Sequence, residues 1–299
     1  MNYLLHLLIY INIYAILALS LNLVVGYCGL LTMAHAAYFA VGGYTYALAT
    51  QVLGWGFIPA AGLAMAVSAF LSLAISLPAW RFRGDFFVLI SLAVQTFIFS
   101  LLYNWSDTSA PLGSWRNLTN GPFGIAGIAK PDILGFKVSS IAAYCVLATV
   151  STAACCLLFW LLKQSPWGRL LKCMRDDELA VRGLGKNTRL AKTQAFAVAC
   201  MFAALAGALY AGYVGYLDPS SGSLDESILM LCMVLVGGVG NFRGPLVGAV
   251  VLLLIPEALR FVHMPDTIAA NMRLMIYGLL IVGMTHFRPQ GLAGEYRFK

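Results

Sequence analysis

Apolar stretches of about 20 residues, the length an α-helix needs to cross a bilayer, recur along this chain, and one long polar segment, Lys163 to Lys192, interrupts them. The stretches cover about 3–25, 29–53, 57–80, 85–104, 138–162, 193–217, 226–240, 245–263 and 271–287. Buried strands share this composition but are far shorter, so each stretch is expected to be helical. Only 10% of the residues are charged and 61% are hydrophobic, whereas soluble domains are about 25% charged. The expected fold is all-α, a polytopic membrane protein of about nine spanning helices, with eight or ten if the second span is broken. Its 299 residues leave no room for a separate soluble domain. Residues 1–299 are read as one transmembrane unit with a polar loop over about 163–192 and a second loop over about 105–137. The first apolar run lacks a basic flank and a cleavage site, and reads as a retained span.

The polar segment holds Lys163, Arg169, Lys172, Arg175, Arg182, Lys186, Arg189 and Lys192, eight of the nineteen Lys and Arg residues, together with the acidic run Asp176-Asp177-Glu178. Hydrocarbon cannot solvate such a stretch, so it faces water or a partner protein. Placed in the cytoplasm it brings Arg81, Arg83, Arg243, Arg288, Arg297 and Lys299 to the same side, fourteen basic residues against five. That asymmetry is the positive-inside pattern, and it accounts for the net charge of +7 without nucleic acid. Acid at a helix start, Gly just beyond its end and base after that are the signals of a short surface helix. Arg175, Asp176, Asp177, Glu178, Leu179, Arg182, Gly183 and Gly185 are the candidates for receiving force from a partner; the plainer reading is a helix that merely links two spans.

Gly26, Gly29, Gly42 and Gly43 in the second span permit either close packing or a break in the helix. Polar side chains at membrane depth mark a pathway by default, which makes Asn22, Thr32, His35, Gln95 and Thr96 the candidates for a translocation path. A lone histidine such as His35 also fits a packed, hydrogen-bonded position. A second glycine cluster, Leu235 to Ala249, shares the Val-Gly-x-x-Gly order of Val25 to Gly29, a trace of an internal repeat. Glu257 is the clearest acid within a span, with Arg260 placed to pair with it at i+3. Buried carboxylates are otherwise scarce, which argues against a proton- or sodium-coupled carrier. The seven cysteines show no metal-type spacing and read as packing residues. No GxSxG, HExxH or CxxC occurs, and Gly183 to Thr188 lacks the spacing of a phosphate loop. An enzyme is therefore not expected, nor a metal or cofactor bound by this chain; ATP, if used, sits with its magnesium on another chain.

Leu19 to Leu48, Arg81 to Ala93 (RFRGDFFVLISLA), Ser165 to Phe196 with its SPWGR and DDELAVRGLG, Ala206 to Ala211, Leu235 to Ala249 and Arg288 to Leu292 (RPQGL) resemble the inner-membrane permease subunits of bacterial branched-chain amino-acid ABC importers. Of the two Liv-type permeases, the chain is more similar to the LivM type than to the LivH type. The resemblance implies a second, LivH-like permease, two ATP-binding subunits of the LivG and LivF type and a periplasmic binding protein. It also implies that Asp176 to Gly185 is the coupling helix, seated in a groove of the ATPase. The outer loop, with Thr119, Asn120 and Gly121, would face the binding protein, or its Trp105 and Trp115 belong to an interfacial belt. The family usually shows Thr-Gly-Gly where this chain has Thr119-Asn120-Gly121. An aliphatic amino acid needs an apolar path and groups for its two charges, and the N-terminus of a broken helix suits the carboxylate. The alternatives are import of urea, short amides or aromatic acids by the same architecture, or a stand-alone carrier or channel.

Overall fold

A computed structural model describes residues 2–79, 85–107, 109–133, 136–138, 140–260, 266–288 and 290–293. Eleven α-helices occur among the described residues. They are α1 (Asn2–Asn22), α2 (His35–Gln51), α3 (Phe57–Ala79), α4 (Asp85–Asn104), α5 (Ile141–Gln164), α6 (Pro166–Asp176), α7 (Glu178–Gly183), α8 (Thr188–Val214), α9 (Leu224–Gly237), α10 (Gly244–Arg260) and α11 (Asp266–Phe287). Nine correspond to the nine apolar stretches, and α6 and α7 form the polar segment. The side chain of Arg260, and with it the expected Glu257–Arg260 pair, lies outside what is described, as do the basic residues Arg81, Arg83, Arg297 and Lys299.

Among the described residues, four segments are long and apolar enough to cross a membrane: Tyr3–Tyr27, Phe86–Asn104, Ile141–Gln164 and Thr188–Val214. The 27 residues of α8 rise about 40 Å, more than the hydrocarbon thickness of about 30 Å. Large apolar side chains on α3, α4 and α5, among them Phe70, Phe97, Val146 and Leu157, face outward, as a lipid solvent or an apolar partner permits.

The centre is built on small residues. Gly42 and Gly43 of α2 lie against Ala204 and Gly207 of α8 so closely that an added Cβ on any of the three glycines would overlap the neighbouring backbone or side chain. Gly237, Gly244 and Gly248 do the same between α9 and α10. Without Cβ atoms the backbones approach closely enough for dispersion to hold them where lipid gives no hydrophobic drive. Tyr38, Tyr46 and Phe39 fill the remaining core space.

The second stretch differs from the expectation. The helix of α1 widens into a π-helical turn over Leu23–Tyr27, residues 29–34 are not regularly helical, and α2 begins only at His35. The glycines at 26 and 29 sit in this break. The polar residues 188–192, expected before the sixth span, are the first turns of α8, because Asn187 Oδ1 accepts from Leu190 N at 3.1 Å and starts the helix there.

At the end of the bundle where α8 finishes, β1 (Ile125–Ala126) pairs antiparallel with β4 (Tyr216–Leu217). A second hairpin joins β2 (Asp132–Ile133) to β3 (Phe136–Lys137). The loop over about 105–137 is thus stitched to one end of α8, while α6 and α7 lead into the other.

Candidate functional site

Two short helices make up the polar segment where one was expected. Ser165 caps α6 by accepting from Gly168 N at 3.1 Å, Pro166 follows at the first position, and Gly168, Leu171 and Met174 are buried along one face. Gly168 has no room for a side chain, since a Cβ would meet the backbone of Leu162 and Lys163. Asp177 is extended and ends α6. Its Oδ1 accepts from Leu179 N at 2.9 Å and Ala180 N at 3.0 Å, which starts α7 with an N-cap.

The candidate coupling residues separate into two sets. Asp176, Asp177, Leu179, Gly183 and Gly185 are exposed. Arg175, Glu178 and Arg182 turn inward. Glu178 receives Arg182 Nη2 at 2.6 Å, Lys192 Nζ at 2.8 Å and Thr188 Oγ1 at 3.1 Å. Partial burial alone pushes its carboxyl up, but the Lys192 ammonium, the Thr188 hydroxyl and Arg182 outweigh that and hold it below the usual carboxylate range. The side chain of Arg175 is 13% exposed, and its Nη1 donates to Gly26 O at 2.6 Å.

Outward, Leu179 is 66% and Leu184 79% exposed, and Leu190 is exposed beside them. Exposed Asp176, Asp177, Lys186 and Arg189 flank these leucines along the chain. Apolar anchors inside a charged rim are the anatomy of a protein-binding face. Leu184 and Leu190 were not among the candidates; the signal was leucine inside a charged run, where water gives it no reason to be.

Four of the five path candidates gather at the helix break. Ser20 Oγ and His35 Nε2 are 2.8 Å apart, with His35 2% exposed. Gln95 Oε1 accepts from Ala37 N at 2.9 Å, and its amide donates to Gly222 O. Ser227 Oγ accepts from Ala36 N at 3.1 Å, Ser91 Oγ from Met33 N at 3.0 Å, and Thr32 Oγ1 from Ala34 N at 3.3 Å. Side chains thus take the backbone donors of Ala34, Ala36 and Ala37 at the start of α2. Asn22 bridges to the α9–α10 link, accepting from Gly240 N and donating to Asn241 O, both at 2.9 Å. Thr96 stands apart: it is exposed and bonds its own helix at Ala93 O, 2.9 Å away.

At the opposite end, Thr119 Oγ1 donates to Leu102 O at 2.7 Å and Trp105 O at 3.0 Å. Asn120 has φ 60°, alone among described non-glycine residues in the left-handed region, and Gly121 follows at φ 53°. Asparagine tolerates that region better than other side chains, so it can stand where the family uses glycine. Phe123, 70% exposed, and Trp115 project from this loop. A cavity of about 460 Å³ opens at this end between α1, α9, α10 and α11, lined by Tyr3, Tyr10, Tyr14, Glu226, Glu257 and Tyr277. A neighbouring one of about 320 Å³ is lined by His6, Tyr10, Lys130, Tyr144 and Tyr213. None of the five path candidates lines either cavity.

Comparison with known proteins follows the same lines. The chain is 32% identical over 307 residues to the high-affinity branched-chain amino acid transport system permease protein LivM of Escherichia coli, covering 94% of this chain and 67% of that one. It is 25% identical to the probable branched-chain amino acid transport permease protein LivM of Methanocaldococcus jannaschii, over 96% of this chain and 92% of that one. It is 27% identical to the autoinducer 2 import system permease protein LsrC of Photorhabdus laumondii, over 69% of this chain and 61% of that one. No solved structure matches. A family described as branched-chain amino acid transport system / permease component matches residues 3–285, and the chain belongs to that family of polytopic membrane permeases.

Proposed function

We propose that this chain is the permease subunit that forms part of the path for branched-chain, hydrophobic amino acids in an ATP-driven importer of the bacterial cytoplasmic membrane. The cargo is delivered by a periplasmic binding protein, and ATP and magnesium are bound by two LivG- and LivF-like subunits. A LivH-like permease completes the path. The observation that carries this reading is the face of α7, where Leu179 and Leu184 stand exposed inside a charged rim while Glu178 braces the helix from behind. A stand-alone carrier has no use for such a face.

In this reading the docking surface is Asp176, Asp177, Leu179, Gly183, Leu184 and Gly185, with Arg175, Glu178 and Arg182 supporting it from within. Thr119, Asn120 and Gly121 set the shape of the outer loop, and the exposed Phe123 and Trp115 meet the binding protein. Asn22, Thr32, His35 and Gln95 hold the helix break in place beside the path. Permeases as similar as LivM and LsrC are named for different cargoes, so substrate is the point to measure. Uptake of radiolabelled leucine is compared in cells with and without this chain, with isoleucine, valine, phenylalanine, urea and acetamide as competitors. Leucine uptake that depends on the chain and is blocked by isoleucine and valine alone supports the reading; block by urea or acetamide moves the cargo class.

A further inference from the structure

Segments far apart in the chain meet around Gly240. The π-helical turn that ends α1 supplies Gly26, and the break beyond it supplies Gly29. The α9–α10 link supplies Gly238 to Asn241. The C-terminal stretch bonds back to the same place through Leu292 N to Val236 O and Ala293 N to Gly237 O, both at 2.9 Å. Arg175, at the last turn of α6, runs between these strands of backbone. Its aliphatic part lies on Gly29, where a Cβ would come within 2.9 Å of Arg175 Cγ. Its guanidinium passes Gly240, where a Cβ would be 2.6 Å from Nη1, and ends on Gly26 O at 2.6 Å. Asn22 closes the ring through its two bonds to Gly240 and Asn241.

Charge-assisted bonds of this kind are short and strong, while the backbone they hold is soft. A π turn and a link with φ near +77° at Gly240 interrupt the helical ladder that stiffens the neighbouring segments. Arg175 also stands two residues from Asp177, the cap of α7, so it moves with the exposed face through the rigid last turn of α6.

We infer that Arg175 is a positioning residue that joins both glycine breaks to α6, so that displacement of α7 is delivered to the ends of α1, α9 and α10 without Arg175 touching either cargo or ATPase. The inference rests on the reading of the chain as an ATP-driven permease. Holding two discrete arrangements of a break in register is what coupling between distant sites requires.

The test uses the whole assembly purified through this chain and reconstituted into liposomes, with leucine uptake and ATP hydrolysis measured on the same preparation. Arg175→Gln should assemble and hydrolyse ATP within about twofold of the unmodified complex but carry about tenfold less leucine per ATP. Arg175→Lys, which keeps a cation and one donor, should recover part of that loss, to about threefold. Gly240→Ala, whose Cβ displaces the guanidinium, should follow Arg175→Gln. An unchanged ratio of leucine to ATP in assembled variants overturns the inference, as does an equal fall in both activities, which would make Arg175 a docking residue. Loss of assembly in all three variants also overturns it, by making the node a folding element. Absence of ATP-dependent uptake in the unmodified complex strikes the permease reading instead and is seen before any variant is made.

Discussion

Lys192 Nζ lies 2.8 Å from Glu178 Oε2 and ties the first turn of α8 to the start of α7. With Arg182 and Thr188 on the same carboxylate, the exposed face of α7 is backed by a charged network as well as by the buried Val181. Glu178→Gln leaves the two cations without their counter-charge and should cost about 1 to 2 kcal/mol of thermal stability. Because the folded carboxyl is held below its ordinary value, its contribution is complete above about pH 4.3 and fades as pH falls through the depressed value. The gap in unfolding midpoint between the unmodified chain and Glu178→Gln should therefore be full at pH 7 and close as pH falls through that depressed value. A gap that persists at low pH would remove the ionised network from the account.

The leucines on α7 make a separable prediction. Leu184→Asp changes a side chain just past the end of α7 that is 79% exposed, so the permease should keep its unfolding midpoint within about 0.5 kcal/mol. A truncated central anchor costs a partner about 2 kcal/mol or more, so ATPase recovered with Leu184→Asp should fall at least tenfold. Full recovery would place the docking face elsewhere.

Asn120 offers a test of the outer turn. Both variants lose the bond from Asn120 Nδ2 to Gly124 O at 2.8 Å, but at φ 60° glycine should be tolerated, whereas Asn120→Val carries a further left-handed penalty of about 1 to 2 kcal/mol. Thermal unfolding should rank Asn120→Gly near the unmodified chain and Asn120→Val well below it, with affinity for the binding protein falling in the same order. Equal stability of the two variants would count against the turn.

Ser20 and His35 provide a fourth check, on whether the break is held by their bond. His35→Ala should cost about 2 kcal/mol through the lost bond and the space left behind, the Ser20 hydroxyl keeping its bond to Leu17 O. Adding Ser20→Ala should then cost less than it does alone, with a coupling of about 0.5 to 1.5 kcal/mol in a double-mutant cycle. Additive costs would show that the two side chains do not support one another.

How far the sequence could be read divides along physical lines. Span length and hydropathy depend on the solvent, so α1, α3, α4, α5 and α8 were visible as apolar runs. The position of the break was not. It depends on Ser91, Gln95 and Ser227, 58 to 191 residues from the donors they accept, and such pairings leave no periodic trace. Charge likewise suggested that Arg175, Glu178 and Arg182 face a partner, because an isolated charge belongs in water. Folded, each finds a partner within the chain, while Leu179 and Leu184 take the exposed positions. Asn120 lies between these cases: its departure from glycine was visible in the sequence, and its left-handed backbone explains why the departure is tolerated.

The most direct measurement is recovery of this chain from its native membrane in mild detergent, followed by mass spectrometry of what accompanies it. The account predicts an ATP-binding protein and a second permease in stoichiometric amounts, both retained by Asn120→Gly and the ATP-binding protein lost with Leu184→Asp. Repeated recovery of this chain alone, from membranes where leucine uptake depends on it, would contradict the account and leave a stand-alone carrier in its place.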